Sequence, residues 1–347
     1  MTLGDPGQLT GGYLFHRRLA ELAPAHAARL EFVSFPERPF PLALVDASSV
    51  VRAIERIRPD VVVVDSIAAA FMAFHVPRMP MVGMLHQPPG GIDHALVRTR
   101  AQAALDRLAY THLRRLLVAS DSLADELRSL GFADQRLTVV PPGRDVAPAA
   151  GPPPGDLRHG RRIALLSVGN WVERKGTLSL LEAFARLEPE AATLHLVGNV
   201  AAEPAYARRV WWRLAQSDIR GRVEVHGPLS VGGVAAMYAA ADAFVLPSLK
   251  EPYGTVYGEA MAFGLPVVGW RAGNLPYLAE HEREGLLLEP GDVDGLGEAL
   301  QRLAVSAALR ARLGEAARQK AMTRPTWDDV ATMFFGHLRE IAGVTDT

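Results

Sequence analysis

The chain has no cysteine. Disulfides, thiolate-held zinc, iron–sulfur clusters and thiol nucleophiles are therefore excluded. Lysine is almost missing as well. Lys175, Lys250 and Lys320 are the only three among 37 basic residues, so arginine carries nearly all the positive charge, as in a GC-rich genome. Net charge is nearly absent too, at −1. Bulk electrostatic binding of nucleic acid, which favours a basic domain or stripe, gains no support. No apolar run reaches the roughly 18 residues of a membrane-spanning helix. No basic stretch followed by an apolar one opens the sequence, which sets the expectation of a cytoplasmic protein.

What is present is an ordinary globular composition. Apolar residues make up 49% of 347, too many for an intrinsically disordered chain of such low net charge. The length suggests two domains, possibly three. Short β-rich apolar runs alternate with longer segments of helical period. In the first half the strands are expected at Leu30–Phe35, Val61–Asp65, Met81–His86, Leu116–Ala119 and Leu137–Val140. Helices are expected near 12–23, 47–57, 95–113 and 121–130. Residues 141–160 then carry six prolines and several glycines with little apolar periodicity, which is the texture of a linker. The alternation restarts at Ile163–Val168. It continues through Thr193–Val197, Val223–Val225, Ala243–Pro247, Pro266–Gly269 and Gly285–Leu288, with helices near 176–187, 204–217, 231–241, 255–264, 293–304, 306–322 and 326–342. Strand–helix alternation of this kind implies βαβ units and mostly parallel sheets, so two doubly wound α/β domains are expected. Only Met1-Thr-Leu precedes Gly4-Asp-Pro-Gly, a short first strand for such a fold. The expectation is that the chain starts late relative to its gene product.

The densest chemistry lies between Leu246 and Val268. A strand ends at Pro247, a loop with Pro252 and Gly254 follows, and a helix begins near Thr255. A helix N-terminus offers unpaired N–H groups and a positive dipole end, which suit phosphate. Gly254 lets a ligand approach the backbone closely. Glu251 precedes the helix and Glu259 sits about one turn inside it. Eight residues of ideal helix span roughly 12 Å, the scale of two hydroxyl-bearing rings joined by a diphosphate. A carboxylate accepts from two sugar hydroxyls at once.

Glu251 and Glu259 form an E-x7-E pattern, and the segment resembles the retaining GT-B glycosyltransferases of family GT4. The resemblance extends to Gly11-Gly12 as the first glycine loop, Pro142-Gly143 before the linker and Ser167 to Gly176 as the donor loop. Leu196-Val-Gly198 and Tyr238-Ala-Ala-Ala-Asp242 match later landmarks. It implies a GT-B fold, two Rossmann-like domains facing across a cleft. Residues 1–150 would bind the acceptor and 151–325 a nucleotide-diphosphate sugar, while a last helix in 326–347 would cross back to the first domain. Closure about the linker would exclude water. By resemblance Glu251 holds the transferred sugar, Glu259 the ribose, and Lys175 the diphosphate. Gly11, Gly12, Gly169, Asn170, Arg174, Pro252, Tyr253, Gly254, Thr255 and Val256 complete the donor set. His86, at the end of a parallel strand, stands beside the sugar, with Gln87, Asp93 and His94 nearby but without an assigned role. Two positions depart from the family. Asn170 stands where an arginine is usual, with Arg174 as its substitute, and Ala272-Gly-Asn-Leu-Pro-Tyr277 ends without the usual acid.

The Asp65–His75 region shows no metal-ligand spacing, so no tightly bound metal is expected, and no cofactor beyond the donor. The expected partners are a nucleotide-sugar donor and a small-molecule, glycan or lipid-linked acceptor. Arg98, Arg100, Arg107, Arg114 and Arg115 decorate one helical region, which reads as a solvated face or, less simply, as a peripheral membrane contact. Asp292-Val-Asp294 spells a metal-binding D-x-D but opens a helix, so Asp292 is expected to be an N-cap, like Ser120. Trp211-Trp212 is expected to pack rather than to form an acceptor platform. The competing readings are an epimerase or phosphorylase of the same fold, a dinucleotide oxidoreductase and a non-catalytic binding protein. The oxidoreductase needs a G-x-G-x-x-G with a distal acid, and neither half has it.

Overall fold

A computed structural model describes residues 1–5, 11–38, 40–92, 96–144 and 155–343, with Gly11 and Leu96 described by backbone alone. Asp93, His94 and residues 145–154 of the proline-rich stretch lie outside the described residues. The chain forms two compact units, Met1–Gly143 with Pro325–Thr347, and Arg144–Arg324.

The first unit runs β1 (Thr2–Leu3), α1 (Gly11–Leu22), β2 (Ser34–Phe35), α2 (Ala47–Ile57), β3 (Val62–Asp65), β4 (Met81–Leu85), α3 (Leu96–Thr111), β5 (Arg115–Val118), α4 (Asp121–Ser129) and β6 (Leu137–Val139). β3-β4-β5-β6 form one parallel sheet, and β1 and β2 pair separately, also in parallel. The strand expected over Leu30–Phe35 shrinks to Ser34–Phe35. Its partner β1 has only two residues, so the ladder holds just Thr2↔Ser34 and Leu3↔Phe35.

The second unit runs β7 (Ile163–Val168), α5 (Thr177–Ala185), β8 (Ala192–Val197), α6 (Pro204–Leu214), β9 (Val223–Gly227), α7 (Val231–Ala240), β10 (Ala243–Val245), α8 (Thr255–Ala262), β11 (Val267–Trp270), α9 (Leu275–Leu278), β12 (Gly285–Leu288), α10 (Val293–Val305) and α11 (Ala307–Met322). Its six strands are parallel in the order β12-β11-β10-β7-β8-β9. β7 shows why such strands read as unbroken apolar runs. Ile163 and Leu165 enter one core and Ala164 and Leu166 the other, because the sheet is covered on both faces.

The last helix, α12 (Trp327–Ala342), belongs to the first unit. Val330, Ala331, Phe334 and Phe335 pack with Phe15, Leu19, Val82, Met84 and Leu117. A capping box of Thr326 and Asp329 starts it. Arg115 forks onto Glu340 at 2.7 and 3.1 Å, and Arg114 donates to the Ile341 carbonyl at 3.3 Å. This corrects the single arginine-decorated helical region: α3 ends at Thr111, and Arg114 and Arg115 tie α12 down. The tryptophan pair is half corrected. Trp211 packs 5.0 Å from the buried Trp171, whereas Trp212, one helical step on, is 68% exposed. Asp292 and Ser120 are N-caps, accepting from Gly295 N at 2.9 Å and Leu123 N at 3.2 Å. No helix among the described residues is long and apolar enough to cross a membrane.

Candidate active site

In the second unit the donor loop after β7 and the loop after β10 meet. Lys175 Nζ donates to Glu251 Oε2, and both side chains are largely buried, at 11% and 13% exposure. Arg174 comes from the same turn. Its Nη1 donates to the Lys250 carbonyl at 2.9 Å and stands 3.9 Å from Glu251 Oε2. The backbone locks the two loops: Leu249 N donates to Arg174 O at 2.8 Å, and the Ser248 hydroxyl donates to the same oxygen at 3.2 Å. Gly176 makes this possible. It has φ +71°, and a Cβ there would stand 2.1 Å from the Pro247 carbonyl oxygen.

Asn170 does not act as a surrogate cation. Its Oδ1 accepts from Asn199 N at 3.0 Å and holds the loop against the end of β8. Next to it Gly169 N donates to Val197 O at 2.8 Å. The cations facing Glu251 are thus Lys175 and Arg174, both from one short turn, Glu173–Lys175.

Gly254, at φ +83°, caps α8 in the left-handed conformation and starts the helix directly after the Pro252–Tyr253 turn. Tyr257 N is the first amide to bond back, to Gly254 O at 3.0 Å. The amides of Thr255 and Val256 precede it, so this end can accept an anion. Glu259 follows on the same helix and accepts from the buried Tyr238 hydroxyl at 3.0 Å. The segment Ala272–Tyr277 lacks the family acid but buttresses the loop. Asn274 donates from its backbone to Glu251 O at 2.9 Å and from its side chain to Tyr253 O at 2.8 Å.

Sequence reasoning named Tyr238 only as a landmark and missed Arg324 altogether. The Arg324 guanidinium lies 5.1 Å from the Tyr253 ring centroid and fills the space that a Cβ on Gly258 would need. Burial lowers its pKa to about 10. No carboxylate among the described residues pairs with it, so a third cation, besides Lys175 and Arg174, stands near the start of α8. Its signal was a basic residue before the Pro325 break, which nothing local distinguishes from a surface arginine.

In the first unit His86 follows β4 and meets the start of α1. A Cβ on Gly12 would approach His86 Cδ2 to 3.3 Å, so Gly12 leaves room for the ring. Gly11 is the first residue of α1. The structure adds two residues absent from the sequence reading. His16 Nε2 and Asp65 Oδ2 are hydrogen-bonded at 2.8 Å, and the His16 and His86 rings meet edge to face at 5.1 Å. Burial opposes ionisation of Asp65, but the His16 hydrogen bond and the neighbouring imidazoles outweigh it and hold its pKa at about 2. Burial lowers His86 to about 4, against the pull of Asp65. Its Nε2 is buried with no hydrogen-bond partner among the described residues. His86 is therefore neutral at physiological pH and can accept or donate one bond.

Its lowered pKa also gives a stability prediction. A histidine held neutral contributes stability that is present above the unfolded pKa near 6.5 and is lost as pH falls towards 4. Between pH 7 and pH 5 this amounts to about 2 kcal/mol. Denaturant unfolding of His86→Gln should show a pH dependence smaller by that amount. An unchanged slope would mean His86 is solvated.

The six-stranded sheet of the second unit reverses its strand order between β7 and β10, and Lys175 and Glu251 follow the carboxyl ends of these strands, where open α/β sheets place ligands; within the first unit His86 follows the carboxyl end of β4. The fold is that of the GT-B glycosyltransferases. Anabaena HepE, whose crystal structure contains UDP and glucose, matches with a TM-score of 0.80 over 98% of both chains at 20% identity. Residues 13–148 match Glycosyltransferase Family 4 and residues 162–305 match Glycosyl transferases group 1. The chain belongs to this glycosyltransferase family. A D-inositol 3-phosphate glycosyltransferase of Xylanimonas cellulosilytica is 32% identical over 236 residues, 62% of this chain and 56% of that protein. An MMP alpha-(1->4)-mannosyltransferase of Mycolicibacterium hassiacum is 36% identical over 219 residues, 62% of this chain and 51% of that protein. The chain thus spans about half the length of these curated relatives.

Proposed function

We propose that the protein is a glycosyltransferase that moves a sugar from a nucleotide-diphosphate sugar to an acceptor hydroxyl, retaining anomeric configuration and using no metal at the diphosphate. The observation that carries this is the pairing of Lys175 with Glu251 beside the open N-terminus of α8, with Glu259 held by Tyr238 one turn further on. A diphosphate fits between cation and helix end, and a hydroxyl-rich ring fits against each carboxylate. Family membership and the nucleotide and sugar in HepE support a nucleotide-sugar donor. Lys175, Arg174 and the α8 dipole supply the positive charge that a metal supplies elsewhere.

In the reaction the bond from the anomeric carbon to the diphosphate oxygen breaks and its electrons leave with the diphosphate. The acceptor oxygen bonds to the same face of that carbon, and its proton passes to the departing phosphate oxygen. His86, neutral and with a free ring nitrogen, is assigned to a sugar hydroxyl in the first unit. The acceptor, whether small molecule, glycan or lipid-linked, is assigned to that unit as well.

The test is a thermal-shift panel without metal, using UDP, GDP, ADP, their sugar conjugates and NAD. A ligand at about 100 times its dissociation constant stabilises by about 2.7 kcal/mol, a shift of roughly 5 °C or more for a unit of this size. One nucleoside diphosphate should produce it, and Glu259→Ala should abolish it relative to that variant's own midpoint. A shift with NAD alone sinks the reading. A product of inverted configuration, read by proton NMR, would overturn the retaining part.

A further inference from the structure

The free edge of the six-stranded sheet holds a second cluster of donor atoms. His195 lies on β8, Glu224 and His226 lie on β9, and His159 lies just ahead of β7. His195 Nδ1 and His226 Nε2 face each other at 2.9 Å. Glu224 Oε2 lies 3.7 Å from the first and 3.9 Å from the second.

We propose that His195, His226 and Glu224 form a binding site for a divalent transition-metal ion, zinc foremost, that clamps the edge strand β9 to β8. Three atoms with these separations have an equidistant point about 2.1 Å from each, close to the roughly 2.0–2.2 Å that zinc makes to imidazole nitrogen and carboxylate oxygen. The donors are two nitrogens and one oxygen. Calcium and magnesium prefer all-oxygen shells, so this set selects a borderline ion.

Three further features arrange the site. His195 Nε2 donates to the Leu157 carbonyl at 2.8 Å, which fixes the tautomer and leaves the Nδ1 lone pair facing inward. His159 Nδ1 lies 3.1 Å from Glu224 Oε1 and holds the carboxylate from the outer side. β9 carries a bulge at His226. His195 pairs with Glu224 and Leu196 with Val225, but Val197 pairs with Gly227, leaving His226 as the extra residue. Glu224 and His226, two residues apart on β9, share one face of the strand, and the register shifts only after Val225. Without metal a single proton can lie between the two facing nitrogens, and the ion would take its place.

His195 is fully buried, whereas His226 and Glu224 remain 25% and 40% exposed, so an ion enters from solvent and water completes its shell. Neither Lys175 nor Glu251 belongs to the cluster, and the inference stands apart from the transfer reaction. The other such group among the described residues is His16, Asp65 and His86, where both Asp65 oxygens are engaged, Oδ2 by His16 and Oδ1 by Ser66 and Ile67, whereas Glu224 keeps Oε2 turned to the two imidazoles.

The experiment uses the full chain, stripped with EDTA and exchanged into clean buffer. Zinc sulfate is titrated by calorimetry, and cobalt(II) chloride is followed by visible absorption, which reports tetrahedral geometry. The expected result is one ion per chain, a raised melting midpoint and tetrahedral cobalt bands. His226→Ala and Glu224→Gln should each weaken zinc by at least about tenfold, while His86→Asn leaves it unchanged. Both edge variants expose little new core, and an unchanged far-UV spectrum confirms that they fold. Zinc binding that survives His226→Ala, zinc binding lost in His86→Asn, or no zinc bound by the unaltered chain would each overturn the proposal.

Discussion

Lys175→Ala is expected to lower the transfer rate at saturating donor by roughly 10²- to 10³-fold, the usual cost of removing one preorganised group that stabilises developing charge. The donor's diphosphate is already anionic, and a further negative charge develops on its leaving oxygen as the glycosidic bond breaks. A cation aimed there acts mainly on the transition state, so kcat should fall more than donor affinity. Lys175 is held for this by Glu251, with both side chains largely withdrawn from water. The truncation leaves the Glu251 carboxylate beside Arg174 alone, 3.9 Å away. That residual pairing should keep the variant folded, which a thermal unfolding scan checks. Lys175→Arg retains the charge but replaces a compact ammonium with a planar fork, and should recover only part of the rate. Rates that match the unaltered protein within a factor of three would remove Lys175 from the reaction.

Gly176→Ala should cost about 3 kcal/mol or more of stability and abolish transfer together with it. The left-handed backbone at φ +71° disfavours any side chain. The larger obstacle is the Pro247 carbonyl oxygen, 2.1 Å from where the new carbon would sit. That oxygen belongs to the backbone leaving β10, so it cannot rotate aside as a side chain would. Relief requires the two loops to part, which also pulls Lys175 from Glu251. Gly221→Ala is the matched control. It has the same φ of +71° but nothing within 4 Å of the added carbon. It should cost only the backbone strain, about 1 kcal/mol, with transfer intact. Equal destabilisation of both variants in urea would show that the close approach does not matter.

Much of this protein was readable from local pattern. β7 and β12 fall where the apolar runs placed them, and α2 spans Ala47–Ile57 as its periodicity requires. Strand–helix alternation, which depends on side-chain period, implied parallel sheets before any contact was known. Glu251, Gly254 and Glu259 were legible because nearest neighbours in sequence build a loop and a helix end together. The short β2 was not legible, since a strand ends where its partner ends, and the partner lies some thirty residues away. Tyr238 on Glu259, Arg324 on Gly258, and His16 on Asp65 were equally hidden. Each joins separate elements, and none carries a local spacing that distinguishes a partner from a solvated side chain. Local sequence therefore specified the type and order of the elements and the donor loop, because those follow from backbone propensity and periodicity. The partners that set each charge, and the two imidazoles brought together on the edge of the sheet, came from packing, because only the register between distant strands decides which side chains meet.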